Sequence, residues 1–201
     1  MKISPQRQAG RICVLGVDPA AAGPTGYGVV ESDGRHCRML RFGTLTASAK
    51  MPIPARLREI HRLVTRLLKE FSPDAMAVES VFTALNMKTA LELAEVRGVV
   101  LLAAAERNIP VHSYAPREVK ASVAGYGHAT KQQMQLMVRA MLGMTVTPEP
   151  SDAADALAVA LCHIYTAPAR LRLARATAVA LVQPVTSARS RSTGVRQPAI
   201  R

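Results

Sequence analysis

Ile12–Asp18, with the sequence ICVLGVD, is the segment from which the architecture of this 201-residue chain can be worked out. Its apolar run predicts a buried β-strand, and an aspartate stands at the end of that run. Ala75–Glu79 (AMAVE) has the same form and ends in a glutamate. A carboxylate at the end of a buried strand needs water, a partner or a cation, because an unpaired buried charge is costly. Asp18 and Glu79 are therefore candidate functional residues, although either acid alone could also be a strand end that reaches solvent.

Two segments that follow Asp18 extend the predicted sheet. YGVVES (27–32) and RHCRMLRFGTLTA (35–47) are rich in β-branched and apolar residues, which favours strands. Asp33 and Gly34 lie between them, and Asp-Gly is a strong hairpin signal. The first three strands are therefore predicted to form an antiparallel meander.

Helical and extended segments alternate in the next part of the chain. Pro52 and Pro54 introduce a helix with apolar residues at helical spacing, and the segment 72–74 (SPD) ends it before the AMAVE strand. A long helix is predicted from about 88 to 108, followed by the strand VHSYA (111–115). This order of elements predicts a mixed five-stranded α/β sheet flanked by helices, rather than a doubly wound parallel sheet.

Three further helices complete the prediction. Pro116 suits the first turn of a short helix. Thr130 and Gln133 form a capping box that opens the next helix, and the last helix begins near Ser151. Tyr126, in the loop before the capping box, is interpreted as a loop-packing residue. Three methionines at helical spacing are interpreted as core residues: Met134, Met137 and Met141.

The two ends of the chain differ from its middle. Residues 1–10 are polar and predicted to be loose, and residues 11–167 are predicted to form one domain. No acid follows Asp155, whereas arginines recur to the end of the chain. Residues 168–201 are therefore predicted to be an Arg-rich extension that is flexible at least from 184.

Composition restricts the class of protein. A formal net charge of +12 and a pI near 10.5 indicate nucleic acid or an anionic membrane surface as partner. No apolar run approaches the roughly 20 residues of a membrane span, and no Trp- or Phe-bearing amphipathic helix favours a membrane surface. The three cysteines lack the spacing of a zinc site and are interpreted as reduced thiols of a cytoplasmic protein: Cys13, Cys37 and Cys162.

Asp152 and Asp155 stand three residues apart in SDAADALAVALCH (151–163). Ser151 is a suitable N-cap, and an acid in a first helical turn gains about 0.3–1 kcal/mol from the helix dipole. One acid would be enough for that, and two on the same helical face repel each other unless a cation joins them. Mg²⁺ prefers such hard oxygen ligands. With Asp18 and Glu79, the pair indicates a site for divalent ions that act on a polyanion.

Four motifs, in this order, resemble the RuvC family of Holliday-junction resolvases, which share the RNase H-like fold. They are VLGVDP…TGYGVVES, AVESVF, PREVKASVAGYGHATKQQMQLMV and SDAADALAVALCH, and they extend from about Ile12 to His163. The resemblance implies a crossover junction endodeoxyribonuclease that makes symmetric cuts in a four-way junction during recombination and DNA repair. It also implies a cytoplasmic, nucleoid-associated homodimer that works with the RuvA–RuvB branch-migration complex.

The resemblance assigns roles to individual residues. The catalytic metal ligands would be Asp18, Glu79, Asp152 and Asp155, with two Mg²⁺ per site and Mn²⁺ as an alternative ion. Lys120 matches a lysine near the family's site, and Phe82 matches an aromatic residue that contacts bases. Lys131 also has a basis in this sequence, because a lysine at the start of a helix can hold a phosphate together with the helix N-terminus. A solvated surface charge is the alternative for each lysine.

Some positions depart from the family pattern, and two other functions stay open. Ala20 replaces a usual glycine, the segment before Thr25 is one residue longer, and Leu85 stands where a lysine is common. All four acids are nevertheless present. One alternative is another RNase H-like nuclease that acts on RNA. The other is a non-catalytic protein that binds branched DNA.

The homodimer interface is predicted on the long helix after Glu79. Ala90, Ala94 and Gly98 recur every four residues, so two copies of this helix could approach closely around a two-fold axis. The alternative is that these small residues let the helix lie tightly against its own sheet.

Overall fold

The computed structural model describes residues 10–21, 23–46, 51–80 and 86–182. Its strands are β1 Ile12–Asp18, β2 Thr25–Ser32, β3 Cys37–Leu45, β4 Ala75–Glu79 and β5 Val111–Tyr114. They form one sheet in the order β3-β2-β1-β4-β5. β1, β2 and β3 are antiparallel neighbours, whereas β4 runs parallel to β1 and β5 runs parallel to β4. The predicted mixed five-stranded sheet, an antiparallel meander followed by parallel strands, is confirmed.

Within the described ranges, five helices accompany the sheet: α1 Ile53–Phe71, α2 Met87–Ala105, α3 Pro116–Ala124, α4 Lys131–Met141 and α5 Ser151–Val182. α1 ends where Ser72 adopts a left-handed conformation with φ of 43°, in the segment predicted to stop it. α2 ends three residues before the predicted position, because the backbone turns at Asn108, whose φ is 55°. α5 continues through Pro168.

Side chains alternate along each strand, so the sheet has two faces with separate cores. The α1/α2 face is the one covered by α1 and α2. It buries Cys13, Leu15, Val17, Val29, Met76 and Val78 of the sheet against Ile60, Leu67, Val96 and Val100. The α5 face is covered by α3, α4 and α5. It buries Val14, Val30, Ala77 and Tyr114 of the sheet against Val119, Met134, Leu157 and Leu161. On this face the Tyr114 hydroxyl and His163 Nδ1 are 2.7 Å apart and share a hydrogen bond.

The chain divides into two compact units, Met1–Pro168 and Ala169–Arg201. The division predicted from the sequence, a nuclease domain at 11–167 and an extension at 168–201, stays a prediction. The predicted loose N-terminus, apart from Gly10, and the predicted flexible tail from 184 lie outside the described residues. In the described part of the chain, the cysteines form no disulfide bond. None of the helices in the described part of the chain combines the length and apolar character needed to cross a membrane.

Candidate active site

Asp18 and Glu79 lie side by side at one edge of the sheet. β1 and β4 are parallel neighbours, paired as far as Val17↔Val78, so the next residue of each strand is the acid that ends it. Alternation along the strands turns both carboxylates toward the α5 face. Their side chains share a hydrogen bond. The structure therefore brings together the two predicted acids of the sheet.

Glycines in β1 and β2 let α5 lie directly against the backbone of the sheet. A methyl group at Gly26 would overlap the backbone oxygen of Asp152, and one at Gly16 would overlap the backbone oxygen of Ala156. A methyl group added at Gly28 would lie 2.7 Å from Leu157 Cδ2. No residue with a Cβ fits these positions without a shift of the helix. This contact brings the first turn of α5 to the strand end that carries Asp18.

The four acids are close enough to affect one another. Burial, and then the charges of Glu79, Asp155 and Asp152, raise the pKa of Asp18 to about 9. Burial also raises the pKa of Glu79 and of Asp155. Burial and like charges both disfavour the ionised form of a carboxyl group. A divalent cation would remove both effects, so the arrangement favours cation binding.

Two lysines share an open pocket with Glu79 and Asp155. Lys131 Nζ lies 3.4 Å from Asp155 Oδ2, and its charge opposes the rise in the pKa of Asp155 that burial causes. The charge of Lys120 opposes the rise that burial causes at Glu79. The pocket has a volume of about 220 Å³, and its lining includes Glu79, Pro116, Lys120, Lys131, Met134 and Asp155. Both predicted lysines are therefore at the site.

The capping box predicted at Thr130 and Gln133 is confirmed, and it fixes Lys131 at the first position of α4. Gln133 N donates to Thr130 Oγ1 at 3.2 Å, and Thr130 N donates to Gln133 Oε1 at 2.8 Å. The Tyr126 hydroxyl also donates to Gln133 Oε1, at 2.6 Å. Tyr126 is 47% exposed, so the interpretation as a loop-packing residue is wrong in part. Its hydroxyl is bonded within the loop region, and about half of the residue faces solvent.

The carboxylate oxygens of the site are suitable ligands for a hard divalent cation, although three of the acids make hydrogen bonds or ion pairs with neighbouring side chains. Among the described residues, no three His, Cys, Asp or Glu side chains are already arranged to hold one ion. Asp18 and Glu79 bond to each other, and Asp155 pairs with Lys131. Burial raises the pKa of both Asp18 and Glu79, so this pair holds a proton at higher pH than free carboxyl groups do, and binding a cation would release it. The carboxylates fit Mg²⁺ once these side chains rotate.

Two structural features of the site were not predicted, and only one of them has a signal in the sequence. A glycine within a strand signals close backbone approach, so Gly26 and Gly28 in TGYG carried a usable signal. The other feature is Arg97 of α2, whose Nη1 donates to the backbone oxygen of Glu79 at 2.8 Å. No local pattern connects two residues 18 positions apart. The sequence therefore could not predict this contact.

Several sequence predictions lie outside the described residues or are wrong. Phe82, proposed as a base contact, and Leu85 fall in the segment 81–85, which is not described. Met137 is 38% exposed, so its assignment to the core is wrong, whereas Met134 is buried as predicted. α4 is amphipathic, and Met137 lies on its outer side.

The chain is similar to proteins of one family over most of its length. The family model described as Crossover junction endodeoxyribonuclease RuvC matches residues 14–163, which include all four acids. The protein of that description from Chloroflexus aurantiacus is 49% identical over 154 residues, covering 77% of this chain and 93% of the relative. Among solved structures, Thermus thermophilus RuvC has a TM-score of 0.72, with 39% identity over 79% of this chain and 97% of that one. Its complex with a Holliday junction substrate has a TM-score of 0.75, with 39% identity over 79% of this chain and 96% of that one.

Proposed function

We propose, on the premise that this chain belongs to the RuvC family of crossover junction endodeoxyribonucleases, that it resolves Holliday junctions with four catalytic metal ligands. These ligands are Asp18, Glu79, Asp152 and Asp155. Family membership makes the chain a nuclease of DNA recombination and repair. One observation carries the residue assignment: burial and the charges of acids on β4 and α5 together raise the pKa of Asp18 on β1. Such crowding of carboxylates destabilises a fold unless a cation binds them.

The four carboxylates would hold Mg²⁺, two ions per site, with Mn²⁺ as an alternative ion. Such ions neutralise charge on the attacking and leaving oxygens of an in-line phosphodiester hydrolysis. The four acids would position the metal ions and would not act as general acids or bases. Lys131 binds a phosphate of the DNA, because its side chain is 55% exposed and stands at a helix N-terminus. Lys120, in the same pocket, contributes a second positive charge toward that phosphate.

The partners follow from charge and from family membership. A net charge of +12 favours DNA, whose phosphates release counterions when lysines and arginines bind them. Phe82 is proposed to contact bases at the junction on the resemblance of AVESVF alone. The RuvA–RuvB complex is proposed as the protein partner, and the bacterial cytoplasm, with the nucleoid DNA, as the location.

A homodimer is proposed to form through α2. Small and apolar residues follow one outer stripe of this helix, and all are exposed: Met87, Leu91, Ala94, Gly98, Leu102 and Ala105. The opposite side buries Val96, Val100, Ala103 and Ala104. Ala94 and Gly98 therefore do not pack against their own sheet, which was the alternative. An exposed apolar stripe marks an interaction surface, and a two-fold axis along it would relate two sites for paired cuts.

A substrate panel tests the proposed activity. The purified chain is incubated with Mg²⁺ and, separately, with a synthetic four-way junction, a linear duplex of the same sequence and an RNA–DNA hybrid. We expect paired symmetric cuts in the junction and little cleavage of the other two. Preferred cleavage of the hybrid would identify an RNase H-like nuclease of another type. Tight junction binding without any cleavage, in Mg²⁺ or Mn²⁺, would identify a non-catalytic binding protein.

The dimer is tested with Gly98→Arg. A Cβ added at Gly98 would meet no atom of the rest of the protein within 4 Å, and Gly98 is exposed, so the variant should fold normally. We expect sedimentation to give a monomer and junction cuts to become unpaired. Leu136→Arg on α4 is the matched control, because Leu136 is 51% exposed on another helix. A Gly98→Arg dimer with normal paired cleavage would remove α2 from the interface.

A further inference from the structure

We infer that Arg97 of α2 is a positioning residue that fixes Glu79 for metal binding, an inference that rests on the proposed function. Its guanidinium group makes two hydrogen bonds at the edge of the sheet where the acids lie. Nη1 donates to the backbone oxygen of Glu79 at 2.8 Å, and Nη2 donates to Ser113 Oγ on β5 at 2.6 Å. One planar group therefore joins α2 to the ends of both β4 and β5.

The geometry of arginine explains why this contact positions its partners. The guanidinium group is a rigid fork, so two bonds from it fix both the distance and the angle between the groups that accept them. The same strand ends are joined by Ser80, whose backbone N and Oγ both donate to Tyr114 O, at 2.8 and 3.0 Å. The backbone of Glu79 is thus held between α2 on one side and β5 on the other. Its carboxylate points to the α5 face from a fixed origin.

Arg97 acts on the geometry of Glu79 and not on its ionisation. The charge that opposes the raised pKa of the Glu79 carboxyl comes from Lys120. Among the described residues, no carboxylate forms an ion pair with Arg97, and burial lowers the pKa of Arg97 itself. Partial burial of a guanidinium charge costs free energy, and two neutral acceptors offset only part of that cost. The contact is therefore better explained by the geometry that it imposes on its acceptors than by added stability. The structure assigns this residue to the alignment of a metal ligand from behind.

The position of Arg97 on α2 extends its role. Gly98, the next residue, belongs to the exposed stripe proposed as the dimer interface, while Arg97 reaches the strand end that carries a catalytic ligand. One turn of α2 therefore contacts both features. Contact between two copies at α2 would bear on Glu79 through this one side chain.

The experiment compares Arg97→Gln, Arg97→Lys and Ser113→Ala with the unchanged full-length chain. Loss of a group that orients a metal ligand typically lowers metal affinity or activity by about 10–100-fold. We expect Arg97→Gln to raise the Mg²⁺ concentration for half-maximal junction cleavage by about that factor, with the dissociation constant for the junction in metal-free buffer within about twofold. The rise in thermal midpoint that Mg²⁺ causes without DNA should shrink in parallel. Arg97→Lys and Ser113→Ala, which each keep one bond, should lie between Arg97→Gln and the unchanged chain.

Arg107→Gln is the matched control. Arg107 is exposed just after the end of α2, and its substitution removes the same charge as Arg97→Gln. Its Mg²⁺ dependence should equal that of the unchanged chain. If Arg97→Gln is too unstable to assay, Ser113→Ala decides, since it removes one acceptor and leaves the Glu79 bond. Normal Mg²⁺ dependence in Arg97→Gln, or in Ser113→Ala in that case, overturns the inference, as does a loss confined to junction affinity. Failure of the unchanged chain to cut junctions overturns the proposed function instead.

Discussion

The two faces of the sheet are packed by different means, although the same strands supply both. On the α1/α2 face, large aliphatic side chains such as Leu67 and Val100 fill the space between helices and strands. On the α5 face, Gly16 and Gly26 leave the backbone of α5 in contact with the backbone of the sheet. Side chains can repack after a small change, whereas two backbones in contact have no such freedom. Both faces contribute to stability, and on the second face the backbone contact also sets the position of the carboxylates.

The largest effect is expected from the carboxylates on the α5 face. Asp18→Asn and Asp155→Asn should each lower kcat by more than the roughly 100-fold that loss of an outer-shell partner costs. Metal-free junction affinity should stay the same in Asp18→Asn, because the pKa of Asp18 is about 9 and little charge is lost, and it should increase in Asp155→Asn, where a negative charge that faces phosphate disappears. Cleavage and metal-free binding of a labelled junction measure the two effects. Glu59→Gln, an acid on α1, is the control, and normal turnover by either Asn variant at saturating metal would contradict the ligand assignment.

A pair of packing variants tests the comparison directly. Gly26→Ala should displace the start of α5, and a displacement of about 1 Å at a catalytic group can cost roughly 100-fold in rate. The overlap should also destabilise the fold by about 1–3 kcal/mol. Leu67→Ala on the other face should cost about 2–5 kcal/mol of stability and leave kcat unchanged below its unfolding temperature. Denaturant unfolding and single-turnover cleavage separate the two, and equal loss of kcat in both variants would break the comparison.

The pH dependence of stability should differ between the metal-free and metal-bound protein. The folded chain raises the pKa of Asp18 from 3.8 to about 9, so the folded state binds this proton more tightly than the unfolded state. Stability contributed in this way is complete at low pH and is lost as pH rises from about 4 to about 9. Each kcal/mol lost lowers the thermal midpoint by about 2–4 °C in a chain of this size.

Thermal melts without metal, from about pH 5.5 to about pH 8.5, should therefore show a falling midpoint. Asp18→Asn should flatten this fall, and Mg²⁺ should raise the midpoint of the unchanged chain most at the upper end of the range. The same slope in Asp18→Asn and in the unchanged chain would remove Asp18 as its source.

The smallest expected effect concerns a single phosphate contact. Lys131→Ala should weaken junction binding and reduce the slope of log K against log salt by about one, because each contact releases about one counterion. Lys69→Ala, an exposed lysine on α1, should leave the slope unchanged. Binding titrations at several salt concentrations compare the two, and identical slopes would make Lys131 an ordinary surface charge.

Local signals in the sequence were enough for most of the fold and for the location of the acids. Apolar runs that end in Asp18 and Glu79 predict strands, and the spacing of Thr130 and Gln133 predicts the start of α4, because these features depend on near neighbours. Arg97 and Glu79 meet only through the packing of α2 on the sheet, which no local pattern encodes. The raised pKa of Asp18 likewise arises from burial and from acids on two other elements.

The hydrogen bond between Tyr114 and His163 has a mechanical consequence for α5. Asp152 contacts Gly26 near the site, and His163 is bonded to the sheet eleven positions later, about 16 Å along the helix axis at 1.5 Å per residue. The close contacts at Asp152 and Ala156 lie about one helical turn apart, so a further contact about two turns beyond them fixes the direction of the helix axis more firmly. The hydrogen bond at His163, in the middle of α5, thus adds a contact with β5 beyond those at Asp152 and Ala156, and it restricts rotation of the acidic first turn about those contacts. The direction of the acidic first turn of α5 therefore rests in part on a buried tyrosine and histidine at the middle of the helix.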